Sequence, residues 1–160
     1  MRRQDREITD IEQILDIVAS CEVCRIGLNG DDGFPYILPM NYGFEYAEEK
    51  LSLYFHTAVE GYKHQLIAAD NRAAFEMDID HKLLFNSERG YCTMNYRSIM
   101  GKGRISYIED ESEKIRALTL ITDRYHPEGH FEFSHAAIPR TSVFRLDVEH
   151  LTAKGKNSKA

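Results

Sequence analysis

Between Tyr36 and His56 the chain alternates large apolar residues with others at a period of two. Tyr36, Leu38, Met40, Tyr42, Phe44 and Tyr46 occupy successive even positions; Leu51, Leu53 and Phe55 then alternate with Ser52, Tyr54 and His56. Successive side chains of a strand point to opposite faces, so this pattern predicts one long strand over 35–46, a polar turn at Ala47-Glu48-Glu49-Lys50 and a second strand, forming a hairpin. Pro39 cannot donate a ladder hydrogen bond, so the first strand must be broken there or lie at a sheet edge.

The same period returns elsewhere. Ala73, Phe75, Met77 and Ile79 mark a strand within 71–84. A strand over 96–108 is weakened at its middle by Gly101 and Gly103, and a last one covers 141–151. A further strand is expected at 22–29, closed by the turn-rich Asn29-Gly30-Asp31-Asp32-Gly33. Residues 85–93 and 126–139 read as loops. Helical spacing of Ile11, Ile14, Leu15 and Val18 after Thr9-Asp10-Ile11-Glu12 predicts a helix over 10–19 that opens on a capping box. A short helix should follow Gly61-Tyr62-Lys63, and another should run from Asp110 to Tyr125. About six strands, mostly linked without intervening helices, favour a mainly β, six-stranded antiparallel barrel with helical decorations over a parallel α/β sheet. One domain is expected over 1–153, followed by a frayed polar tail at 154–160.

A chain of 160 residues can bury on the order of two-thirds of its unfolded surface, so it can fold without disulfides or metal. The net charge of −6 argues against a nucleic-acid partner, which wants a basic face, but leaves room for one phosphate held by local cations. No signal-peptide pattern and no membrane-length apolar run is present, which points to the cytoplasm and reduced thiols for Cys21, Cys24 and Cys92.

Three segments could carry chemistry. In Phe55-His56-Thr57-Ala58-Val59-Glu60-Gly61-Tyr62-Lys63 a strand ends and a helix begins. Free N–H groups of a helix start, a glycine that admits close approach, a hydroxyl and a lysine together suit a phosphate. A plain strand–turn–helix carrying a solvated lysine would show the same pattern. Tyr96-Arg97-Ser98 sets a cation beside a hydroxyl and could complete an anion site or be a surface strand. Cys21-Glu22-Val23-Cys24 could be half a metal site, with Cys92, His126, His130 or His135 as further ligands. It runs into a strand, however, rather than opening a helix as a redox dithiol would, so two ordinary buried or half-buried thiols suit it better. The remaining histidines, His64, His81 and His150, are scattered like surface residues. No nucleophile elbow, P-loop or dinucleotide-binding glycine fingerprint appears.

Taken together, several pieces resemble the nitroimidazole-resistance branch of the pyridoxamine 5'-phosphate oxidase-like FMN-binding proteins. They are Met1-Arg2-Arg3 with Asp5-Arg6-Glu7, the stretch Cys21 to Leu28, Pro35-Tyr36-Ile37-Leu38-Pro39-Met40-Asn41-Tyr42-Gly43-Phe44, Leu53 to Ala58 with Glu60-Gly61, Phe75-Glu76-Met77-Asp78, and Tyr96-Arg97-Ser98 with Gly101 and Gly103. Their order and spacing carry the match, which runs to about residue 152. The resemblance implies a split β-barrel that binds FMN at a homodimer interface. Ile37, Leu38, Pro39, Met40 and Asn41 would border the flavin ring. Phe55, His56, Thr57 and Lys63 would reach the ring and the phosphate, with His56 beside the ring as the proton-handling group. Tyr96, Arg97 and Ser98 would add contacts.

The chain departs from the family at Tyr62, where relatives often carry a basic residue. Lys63, Arg97 and His64 must then supply the phosphate charge. The resemblance implies an FMN-dependent reductase of nitro-aromatic or similar small acceptors, with NAD(P)H or another electron donor. The alternatives are a flavin- or haem-binding module without turnover, and a true pyridoxamine 5'-phosphate oxidase. The last needs a second basic pocket, for which the C-terminal region offers Arg140 and Arg145 and no Trp.

Overall fold

Every strand pairing in the structure is antiparallel. The computed structural model describes residues 3–129 and 131–157, so Met1, Arg2, His130 and the last three tail residues lie outside the described residues. Among the described residues one sheet of eight strands forms: β1 (Glu7–Ile8), β2 (Cys24–Asn29), β3 (Pro35–Met40), β4 (Gly43–Ala47), β5 (Lys50–Ala58), β6 (Arg72–Asn86), β7 (Tyr91–Tyr107) and β8 (Thr141–Lys156). Three helices accompany it: α1 (Ile11–Ser20), α2 (Tyr62–Ala69) and α3 (Glu111–Tyr125). No helix among the described residues is long and apolar enough to cross a membrane.

The strand order is β3-β2-β6-β7-β8-β5-β4, with β1 on β8. β3 and β4 sit at opposite ends of this order, yet only Asn41 and Tyr42 separate them in the chain. The sheet must therefore curl until its two edges approach, and the gap between them is the split of the barrel. The expected mainly β split barrel is found, with eight strands where six were read; β1 and the division of 35–46 account for the added ones.

That division is the main correction to the long strand. β3 pairs with β2, whereas β4 pairs with β5, so the hairpin with β5 involves only the second half. The chain breaks at Tyr42, which is fully buried and is drawn out of the ladder by its own hydrogen bonds. Its hydroxyl bonds the carbonyls of Val18 (2.5 Å) and Cys21 (3.0 Å), and its N–H donates to the Tyr125 hydroxyl (3.2 Å). Pro39 lies on an edge strand, where its missing donor costs no ladder bond.

The core fills the barrel with Ile17, Val18, Ile26, Leu28, Leu53, Phe55, Phe75, Met77, Ile99, Phe144 and Leu146. A second cluster lies under α3, where Ala117, Leu118 and Ile121 cover Tyr54 and Val143. β5 is thus buried on both faces over its middle, which is why Tyr54 is as dry as its neighbours.

Several boundaries shift for local reasons. α1 is capped by Asp10 rather than Thr9, because the carboxylate serves two donors at once: Glu12 N–H (3.1 Å) and the Gln13 side chain (2.9 Å). The loop expected over 85–93 shrinks to a tight turn, in which Asn86 Oδ1 accepts from Arg89 N–H (2.8 Å) and Gly90 adopts φ +63°. β8 continues past Leu151 to Lys156 because Ile99, Ser98, Arg97 and Tyr96 of β7 pair with it there. Gly103 is a close-approach position: a Cβ on it would meet the Asp147 carbonyl oxygen at 1.9 Å, beside a register shift in the β7–β8 ladder.

Candidate functional site at the corner between β5 and α2

β5 ends at Ala58 and α2 begins at Tyr62, so three residues turn the chain from strand to helix. Gly61 makes the turn with φ +143°, a region that disfavours side chains. A Cβ there would also lie 3.0 Å from Lys63 Nζ, which shows that the ammonium folds back over Gly61 at the mouth of the helix. Among the described residues no side chain caps α2, so its partial positive charge and the lysine cation share one place. Among the described residues no carboxylate pairs with Lys63 and the Thr57 hydroxyl has no partner. Such a corner can receive an anion.

His56 stands next to this corner on an exposed position of β5, opposite Val143 of β8. Desolvation by the surrounding protein lowers its pKa from the ordinary 6.5, which keeps the imidazole neutral at neutral pH. Phe55 is a correction. Its side chain is fully buried, stacked on Phe144 (5.3 Å between ring centroids), so it packs the core and offers a ligand only its backbone.

β3 alternates as the sequence pattern requires. Leu38 and Met40 pack against the core, so their side chains are not presented outward, whereas Ile37 is 64% exposed and Pro39 and Asn41 are exposed too. β3 pairs with β2 alone, leaving the backbone groups of its outer edge open for a ligand or another chain. The edge and the corner are tied together: the Tyr36 and Tyr62 rings meet edge-on at 5.2 Å, and the Tyr62 hydroxyl donates to Asp31 in the β2–β3 turn.

Tyr96, Arg97 and Ser98 lie elsewhere. They pair with Lys156, Gly155 and Lys154 at the far end of β8, while His56 pairs with Val143. At about 3.3 Å per residue, roughly 35 Å of strand separates the two segments. Arg97 is also already engaged. It binds Asp16 of α1 (2.5 Å) and Asp80 (2.5 Å), which sits at φ +63° in a bulge of β6. Both carboxylates raise its pKa, the Asp16 hydrogen bond most. Arg97 is therefore a structural latch. His64 is likewise spoken for, with Nε2 on the Ala58 carbonyl (2.9 Å) and Nδ1 on the Tyr107 hydroxyl (2.7 Å). Of the three expected phosphate cations, Lys63 alone remains open among the described residues. Apart from Ala58, six residues before His64, these partners come from distant parts of the chain, and no local pattern announces them.

Cys21 and Cys24 are buried free thiols. Burial pushes Cys21 up to about 11 and Cys24 higher still, so both stay protonated and unreactive. Cys92 is exposed and free.

A model of the pyridoxamine 5'-phosphate oxidase family matches residues 10–155. No curated protein sequence matches. Among solved structures, a proposed 5-nitroimidazole antibiotic resistance protein from Bacteroides thetaiotaomicron is similar, with 30% identity and a TM-score of 0.83 over 93% of this chain and 86% of that one. A flavocytochrome from Azotobacter vinelandii shares the fold at 20% identity and a TM-score of 0.79, covering 99% of this chain and 72% of that one. So does an FAD and haem binding protein from Mycobacterium smegmatis, at 19% identity and a TM-score of 0.78, covering 96% and 74%. The chain belongs to the pyridoxamine 5'-phosphate oxidase-like family, on the side of its nitroimidazole-resistance members.

Proposed function

We propose that this protein is a cytoplasmic FMN-binding flavoprotein that works as a homodimer and reduces nitro-aromatic or similar small acceptors, with NAD(P)H or another donor supplying electrons. The observation that carries the reading is the open corner at Thr57 and Lys63, beside the open edge of β3, in a chain of this family. The residues fit a flavin mononucleotide. Lys63, the Thr57 hydroxyl and the first turn of α2 suit a phosphate. The outer edge of β3 from Ile37 to Asn41 offers backbone donors and acceptors to a polar ring edge.

The separation along β8 supports the dimer. His56 and Tyr96 stand at opposite ends of β8, so in a dimer a second copy supplies Tyr96 from its own far end, whereas the Ser98 side chain is buried (7% exposed) and is not presented outward. Apolar side chains exposed beyond that end, Phe85 (72%) and Tyr91 (52%), fit a surface covered by another subunit.

When bound, the flavin supplies the redox chemistry, and the chain supplies position and protons. His56 does the second. Its neutral imidazole can take up a proton at one ring nitrogen and pass one on, and the crowding that lowers its pKa favours its return to the neutral form. Lys63 and Thr57 anchor the group at the other end. Arg145 pairs with Asp147 (2.8 Å), which leaves Arg140 as the remaining C-terminal candidate for a second phosphate pocket and weakens the pyridoxamine 5'-phosphate oxidase reading.

The test is the absorption spectrum and solution mass of the purified protein. The reading predicts a two-band flavin spectrum, FMN released on denaturation and a dimer. Colourless protein that takes up no FMN at micromolar excess would sink it. The flavocytochrome and the FAD and haem binding protein favour a second reading, a cofactor-holding module without turnover. A sharp Soret band that disappears in His56→Ala would select it.

A further inference from the structure

Lys63 is the middle residue of three, and both of its neighbours are tied to other elements. On one side, the Tyr62 hydroxyl donates to Asp31, and its ring rests edge-on against Tyr36. On the other, His64 bridges two strand ends. A carbonyl only accepts, so Nε2 carries the hydrogen toward Ala58, and Nδ1 faces the Tyr107 hydroxyl as its acceptor. The first turn of α2 is thereby fastened to the β2–β3 turn, to the last residue of β5 and to the last residue of β7. α2 spans only Tyr62–Ala69, and a helix this short does not hold its own geometry in water. Its first turn is placed by these tertiary bonds.

We propose that Tyr62 and His64 are positioning residues that clamp the Tyr62-Lys63-His64 tripeptide and present the Lys63 ammonium to the phosphate in one pose. The proposal rests on the flavin-phosphate reading above and deepens it. A lysine stem is long and mobile, and a cation fixed in advance loses less freedom on binding. Tyr62 therefore supplies rigidity at this position, through its bond to Asp31 and its contact with Tyr36. His64 contributes geometry rather than charge, since both of its ring nitrogens are committed.

The test is a double-mutant cycle on the full-length protein, titrated with FMN and read by flavin fluorescence. Lys63→Ala alone should weaken FMN binding about 10- to 100-fold. In a His64→Leu background the same change should cost less than about threefold, because the cation is no longer held in place. His64→Gln, whose amide can donate to Ala58 and accept from Tyr107, should restore most of the Lys63 effect. Melting temperatures are measured alongside, since a merely structural histidine would lower stability while leaving the Lys63 effect whole. If His64→Leu does not fold, Tyr107→Phe removes only the hydroxyl and should show the same coupling. An equal loss from Lys63→Ala in both backgrounds overturns the clamp. No loss from Lys63→Ala in the wild-type background overturns the phosphate reading and the clamp with it.

Discussion

Lys63 and Arg97 look alike in the sequence: each is a cation near a hydroxyl residue, Thr57 in one segment and Ser98 in the other. The structure treats them in opposite ways. Lys63 lies over a helix mouth with no carboxylate beside it among the described residues, and its neighbours hold it there. Arg97 is consumed by Asp16 and Asp80, where it locks α1 to the bulge that redirects the β6–β7 hairpin. A cation in a motif becomes a ligand cation only when the fold leaves it unpaired. That property belongs to tertiary neighbours rather than to the motif.

The contrast can be broken at several points. Phe55, read in the sequence as part of the corner, should behave as pure core. Phe55→Ala should cost about 3–5 kcal/mol of stability, measured by denaturant unfolding, because a fully buried ring is lost and a cavity is left. Lys63→Ala should do the reverse, weakening FMN binding by about 10- to 100-fold while leaving the unfolding midpoint nearly unchanged. Arg97→Met should lower stability by about 1 kcal/mol, the range of partly exposed ion pairs, and leave FMN affinity within about threefold. If Arg97→Met empties the flavin site without destabilising the fold, the two cations are not opposites after all.

The smallest effect concerns His56. Its folded pKa is lowered, so the native state prefers the neutral ring. The stability this carries is fully present above the ordinary value of 6.5 and is lost as pH falls through the folded pKa. Relative to His56→Gln, the wild type should therefore lose stability on acidification below that range and show no difference in slope above it. Urea unfolding at a series of pH values checks the sign.

Much of the barrel could be read without coordinates, because period-two burial leaves its mark on most strands, the two-residue β1 excepted. The alternation at Ala73, Phe75 and Met77 and the edge position implied by Pro39 are of this kind. The break at Tyr42 was hidden, since the residue keeps the alternating pattern while its hydrogen bonds run to α1 and α3. The corner was visible as Gly61 and Lys63, which only Tyr62 separates in the chain. The roles of Tyr62, His64 and Arg97 were not, because Asp31, Tyr107, Asp16 and Asp80 meet them only after the sheet has curled. Phe55 was misassigned for a related reason: it neighbours His56 in the chain and faces the opposite side of the strand.

The most direct measurement compares FMN with riboflavin, which lacks the phosphate, as ligands for the wild-type protein and for Lys63→Ala. The account predicts that the wild type binds FMN at least about tenfold more tightly than riboflavin, and that this preference collapses in Lys63→Ala with riboflavin affinity unchanged. A preference that survives intact in Lys63→Ala would place the phosphate elsewhere and contradict the assignment of the corner between β5 and α2.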